Sequence, residues 1–126
     1  MTENRPSVSP SDLYARLGTA LAPVVVDVRR PADFAKADAL VASAFHHVPD
    51  DVGQWAKDLP KGRRVVAYCV HGHQVSQGVA AELRAAGIDA AYLEGGIAGW
   101  IEKGLPTRRH VGGAAPAIAQ PDQFES

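Results

Sequence analysis

Cysteine is almost missing from this chain: 126 residues hold one, Cys69. A single cysteine excludes an internal disulfide, a CxxC redox pair and a cysteine-rich zinc ribbon. Aromatic side chains make up only 6% of the residues, and the charges nearly cancel, 13 Lys and Arg against 14 Asp and Glu. No basic stripe alternates with aromatics, so nucleic acid is not an expected partner. No apolar run approaches the ~20 residues that a bilayer crossing requires, so no membrane partner is expected either. The opening stretch, Met1-Thr2-Glu3-Asn4-Arg5-Pro6-Ser7, lacks the apolar core of a secretory signal. Together these absences lead us to expect a cytoplasmic protein whose lone thiol stays reduced.

What is present is an ordinary globular composition, 46% hydrophobic and 21% charged. A chain of this size can bury roughly two-thirds of its unfolded surface, enough for one core without covalent staples. No internal repeat is visible, and we expect one domain over residues 9–106, preceded by a loose leader (1–8) and followed by an Ala-, Gly- and Pro-rich tail (107–126).

Strand and helix signals alternate along that domain. Ser9-Pro10-Ser11-Asp12 reads as a helix start, with Ser9 as N-cap, Leu13 and Leu17 on one face and Gly18 as the stop. Val24-Val25-Val26-Asp27-Val28 reads as a strand buried on both faces. Pro31 opens a brief helix carrying Phe34, and a helix capped by Asp50 and Asp51 is predicted through Val52, Trp55 and Leu59. A second strand runs from Arg64 to Tyr68, and a helix follows in which Val75, Val79 and Leu83 repeat every four residues up to Gly87. Ala90-Ala91-Tyr92-Leu93 is a third strand, Gly95-Gly96 a turn, and 97–103 a last helix ended by Gly104 and Pro106. Such alternation implies an α/β fold, a parallel sheet covered by helices on both faces. Functional loops of such sheets gather at the carboxyl ends of the strands.

Cys69 stands at one of those ends, followed by Val70-His71-Gly72-His73-Gln74 and then the helix from Val75. Unpaired N–H groups at the first turn of that helix would face the sulfur if the loop curls back. A helix N-terminus favours an anion by ~0.3–1 kcal/mol when exposed and by up to ~2 kcal/mol when partly buried. Amide hydrogen bonds to a thiolate add to this, and Gly72 permits the tight bend that exposes them. The alternative is a small buried hydrophobe, which fits a lone cysteine in general but not one placed between a strand and a helix. His71 and His73 could be neutral donors, counter-charges or surface residues. Cys69, His71 and His73 at i, i+2, i+4 match no closed zinc pattern, so no metal or other cofactor is expected. Asp27 and Arg29 could orient the loop, although an Arg29–Asp33 ion pair at i, i+4 is the plainer role. Trp55 and Trp100 read as core or lid packing, and His46, His47 and His110 have no partner visible in the sequence.

Four segments together resemble the rhodanese-homology domain family in its short single-domain form. They are Val25-Val26-Asp27-Val28-Arg29 with Asp33-Phe34, the Cys69-to-Gln74 loop, Ala80-Ala81-Glu82-Leu83 leading to Gly87, and Leu93-Glu94-Gly95-Gly96-Ile97 ending at Trp100. The resemblance implies a three-layer fold with a central five-stranded parallel sheet. It also implies that Cys69 is a nucleophile carrying a persulfide between a donor (thiosulfate or a persulfide) and an external acceptor such as cyanide, a small thiol or a thioredoxin-like protein. Residues Val70 to Val75 would hold the transferred sulfur, with Asp27 and Arg29 in support. Phosphatase and arsenate-reductase relatives use a longer Cys-x5-Arg loop whose arginine clamps an oxyanion, but no arginine lies between Val70 and Gln77. Many sulfurtransferases carry an arginine after the cysteine or late in the loop; here those places hold Val70 and Gln74. A non-catalytic sulfur-carrier or sensor module is the second reading, and oxyanion chemistry a remote third.

Overall fold

The computed structural model describes residues 6–109. Along them run β1 (Ser7–Val8), α1 (Pro10–Arg16), β2 (Val24–Asp27), α2 (Pro31–Lys36), β3 (Ala39–Val41), β4 (Phe45–His46), α3 (Val52–Trp55), β5 (Val65–Tyr68), α4 (Gln74–Ala85), β6 (Ala90–Leu93), α5 (Gly96–Glu102) and β7 (Thr107–Arg109). Five strands form a single parallel sheet in the order β1-β6-β5-β2-β4. β5, the strand that delivers Cys69, is therefore central, with β2 on one side and β6 on the other.

Side chains alternate across a strand with period two, and this alternation builds two cores. Val25, Val66, Tyr68 and Leu93 pack with Leu13 of α1 and with Ile97 and Trp100 of α5. The intervening residues Val26, Val28, Val65, Ala67 and Ala90 pack with Val52 and Trp55 of α3 and with Val79 and Leu83 of α4. Burying each large aliphatic side chain contributes about 1.5–3 kcal/mol, so both faces of the sheet hold their helices firmly. Trp55 and Trp100 are both core residues. The α1 start follows its sequence signal: Ser9 Oγ accepts from the Asp12 amide at 3.1 Å, and Pro10 stands in the first turn.

Three expectations change. Ser7 and Val8, assigned to a leader, form the edge strand β1 opposite Tyr92 and Leu93, satisfying groups that β6 would otherwise leave open. Thr107–Arg109, assigned to the tail, pair antiparallel with β3, and Arg108 Nη2 donates to the Ala44 carbonyl at 2.7 Å. Residues 1–5 and 110–126, His110 included, lie outside the described residues. Finally, the helix expected from Asp50 to Leu59 is split into a 3-10 turn (Pro49–Asp51), α3 and a second 3-10 turn (Ala56–Asp58), with no capping bond from either aspartate side chain. Gly53 weakens helix propagation there, and the Trp55 indole N–H reaches back to the Val48 carbonyl at 2.8 Å.

Candidate active site

β5 ends at Tyr68 and α4 begins at Gln74, so the intervening loop is Cys69 to His73. Four of its five carbonyls are held by partners outside the loop. Those of Cys69 and Val70 accept from the Ile97 and Ala98 amides of α5, each at 3.0 Å. Gly72 O accepts from the Gln77 side-chain amide at 2.9 Å. His73 O accepts from the Gln77 backbone N–H at 3.1 Å, the first bond of α4. With these four carbonyls committed elsewhere, the amides of Gly72, His73 and Ser76 are left to face Sγ.

Two glycines make this geometry reachable. Gly72 has φ +78°, and a Cβ there would lie 2.8 Å from both Gly95 N and Leu93 O. Gly96, at φ +59°, presses so closely on the backbone of Cys69 and Val70 that a Cβ would collide with their carbonyl oxygens. The β6–α5 turn is thus the mould against which the cysteine loop is cast.

Cys69 is buried, at 7% exposure. Burial alone pushes its thiol pKa up, because a dry site disfavours the charged form. Hydrogen bonding from the Ser76 hydroxyl and from the Ser76, Gly72 and His73 amides outweighs burial and brings the thiol below its ordinary value. The thiol lies 3.3 Å from Ser76 Oγ. Ser76 is a site residue that the sequence reading missed; the available signal was a small polar residue on the otherwise apolar inner face of α4, beside Val79, Ala80 and Leu83.

The other expected residues divide sharply. Gly72 is buried within the loop, whereas His71, His73 and Gln74 are exposed around it, with Val70 and Val75 half-buried. The His71 and His73 rings stand 6.2 Å apart at the rim. Asp27 and Arg29 lie on the other face of the sheet. Asp27 accepts from the Arg29 guanidinium and, at 2.8 Å, from the Tyr68 hydroxyl. Arg29 Nη2 also donates to the Ala39 carbonyl, and the Tyr68 oxygen accepts from the Val41 amide at 3.0 Å. The pair therefore fastens β3 to the sheet, and Arg29 finds its partner in Asp27 rather than in the expected Asp33. A β-strand end places i and i+2 on one face, which a helical i, i+4 count overlooks. His46 Nε2 contacts the Arg29 carbonyl at 2.8 Å and its ring stacks on Phe34, while His47 stacks on Trp55. Among the described residues, no three His, Cys, Asp or Glu side chains converge as metal ligands would. A cleft of about 900 Å³ opens between α3, the C-terminal part of α4 and the loops at Pro60–Arg63 and Gly87–Asp89. It lies at the amino ends of β5 and β6, away from Cys69.

A central parallel strand followed at its carboxyl end by a thiol, with main-chain donors around the sulfur and no arginine in the loop, defines a cysteine-loop α/β domain. The chain belongs to the rhodanese-like domain family, whose pattern matches residues 9–103. It is 36% identical over 77 residues to the thiosulfate sulfurtransferase GlpE of Tolumonas auensis, covering 60% of this chain and 70% of that one. It is 27% identical over 103 residues to a probable adenylyltransferase/sulfurtransferase MoeZ of Mycobacterium tuberculosis; the match takes in 79% of this chain and 26% of that protein. The crystal structure of a rhodanese-related protein from Thermoplasma volcanium is similar in fold (TM-score 0.71) and 27% identical, with 82% of this chain and 98% of that one covered. No helix among the described residues is long and apolar enough to cross a membrane.

Proposed function

We propose that the chain is a sulfurtransferase that moves a sulfane sulfur from thiosulfate or a persulfide to cyanide or an external thiol through a Cys69 persulfide. The observation that carries this reading is the ring of one hydroxyl and three amides around Sγ. A thiolate is the nucleophilic form of cysteine, and those donors favour it. Its electron pair attacks the outer sulfur of thiosulfate, the new S–S bond forms, and the old one breaks with sulfite leaving on the bonding pair. The negative charge then rests on the terminal sulfur, where main-chain donors in a low-dielectric site continue to stabilise it. A buried cysteine, 7% exposed as a residue, suits a donor that presents a slim terminal atom. Since the chain has no other cysteine to resolve the persulfide, the acceptor is external, a small thiol or a thioredoxin-like protein, and a reducing compartment such as the cytoplasm keeps the resting thiol free.

Steady-state formation of thiocyanate from thiosulfate and cyanide tests the proposal. Parallel double-reciprocal lines are expected, the mark of a ping-pong mechanism, with activity abolished in Cys69→Ser. Full activity in that variant would refute the mechanism. One observation favours the second reading, a sulfur-carrier or sensor module: the loop from Val70 to Gln74 holds no arginine or lysine to capture a dianion. Persulfide formation without turnover toward any acceptor would support it. Cys69-dependent hydrolysis of an aryl phosphate would instead support oxyanion chemistry.

A further inference from the structure

Resting on the sulfurtransferase reading, we infer that the Ser76 hydroxyl is a catalytic hydrogen-bond donor to Cys69 Sγ, serving that sulfur as nucleophile during uptake and as leaving group during discharge. Ser76 is fully buried, its Oγ lies 3.3 Å from Sγ, and it is the polar member of the inner face of α4. A buried hydroxyl with no partner is costly, and a hydroxyl both donates and accepts. Toward the neutral thiol it accepts the S–H. Toward the thiolate, which has no hydrogen, it must turn and donate. The amides of Gly72, His73 and Ser76 cannot adapt in this way, being donors in either state. Ser76 is therefore the group around the sulfur whose hydrogen bond follows the charge on Sγ.

That charge appears twice in the cycle. It is present on the free enzyme when the electron pair of Sγ forms the S–S bond to the incoming sulfur. In the persulfide, Sγ is a neutral bridging atom and the charge sits on the outer sulfur. When an acceptor attacks the outer sulfur, the S–S bond breaks and its pair returns to Sγ, so the transition state again builds charge beside the Ser76 hydroxyl. A better-stabilised leaving thiolate departs faster. The two half-reactions therefore respond to pH differently. Loss of the hydroxyl slows uptake only where it reduces the ionised fraction, whereas it slows discharge at any pH.

Alkylation of Cys69 by iodoacetamide across pH, measured on the whole protein, is the first arm of the test. In Ser76→Ala the midpoint is expected to rise by about one unit, a roughly tenfold loss of ionised thiol at a fixed lower pH. Ser76→Gly removes the same hydroxyl and is expected to shift alike. The second arm separates the half-reactions: persulfide formation from thiosulfate should be slowed below the new midpoint and restored above it, while discharge of preloaded persulfide to cyanide should be several-fold slower throughout. Superimposable alkylation profiles in the wild type and both variants would overturn the inference, as would discharge rates that match at every pH. Because alkylation requires no sulfur donor, failure of the wild type to load sulfur would sink the sulfurtransferase reading and leave the Ser76–Sγ hydrogen bond to be judged on the alkylation midpoint.

Discussion

One methyl group separates Gly72 from alanine, and at this position it has nowhere to go. The backbone is at φ +78°, and the added carbon would meet Gly95 N and Leu93 O at 2.8 Å, both main-chain atoms that cannot swing aside. Holding a non-glycine residue in that conformation costs about 1–3 kcal/mol before the collision is counted. Gly72→Ala is therefore expected to lower the urea midpoint, and to raise the pH at which Cys69 is alkylated because the Gly72 and His73 amides shift with the loop. An unchanged alkylation profile would show that those amides are not held by this turn. His47 gives a residue-scale prediction of another kind. Burial, reinforced by neighbouring His46 and only partly offset by Asp58, lowers its pKa below 6.5. The unfolded chain then takes up the proton at a higher pH than the folded one, so stability is full above about 6.5 and declines as pH falls below it. Thermal midpoints one unit above and one unit below that value should fall further for the wild type than for His47→Gln; equal falls would contradict the account of His47. Cys69 and Gly72 were legible in the sequence because a sulfur at a strand end and a glycine in a tight loop are punctuation. Ser76 was not, because a serine near a helix start reads as an ordinary capping or solvated residue until the helix is placed against the sulfur.

At the scale of elements, the site is made by two joints. One is α5 against the cysteine loop, where the Ile97 and Ala98 amides hold the Cys69 and Val70 carbonyls. The other is the Asp27–Arg29–Tyr68 cluster, which ties β2, β5 and β3 together on the opposite face. Removing the guanidinium in Arg29→Ala would strand a carboxylate that is wholly buried. Breaking a buried pair from one side costs about 3–5 kcal/mol, and chemical denaturation should read a loss of that size. Asp33→Ala, which removes the partner expected from helical spacing, should stay within about 0.5 kcal/mol of wild type; the reverse ranking would contradict the observed pairing. α1, β2, β5, α4, β6 and α5 could be placed from the sequence because each carries its own signal, whether a β-branched run, a four-residue apolar repeat or a cap. β1, β3, β4 and β7 are two or three residues long and exist because a neighbour offers a free edge, which no local pattern encodes. The segment from Pro49 to Asp58 has helical apolar spacing, yet Gly53 and the indole bond to Val48 break it into separate turns.

For the whole molecule, the arrangement has one consequence. The central strand of a five-stranded parallel sheet carries the thiol to the carboxyl end, and helices on both faces seal the rest of that strand from water. On the proposed function, the domain's chemistry is concentrated on one sulfur, and the groups around it are main-chain N–H donors and a serine hydroxyl. The rhodanese-like family and the five-stranded sheet could be reached from the sequence; the orientation of the loop carbonyls, on which the charge balance depends, could not, since it arises from contact between Gly72 and a turn more than twenty residues away. Intact mass spectrometry of the reduced protein after thiosulfate or a small persulfide donor tests this most directly. A gain of one sulfur atom per chain, located on Cys69 and removed by cyanide, is expected; no gain from any donor, or the same gain in Cys69→Ser, would contradict it.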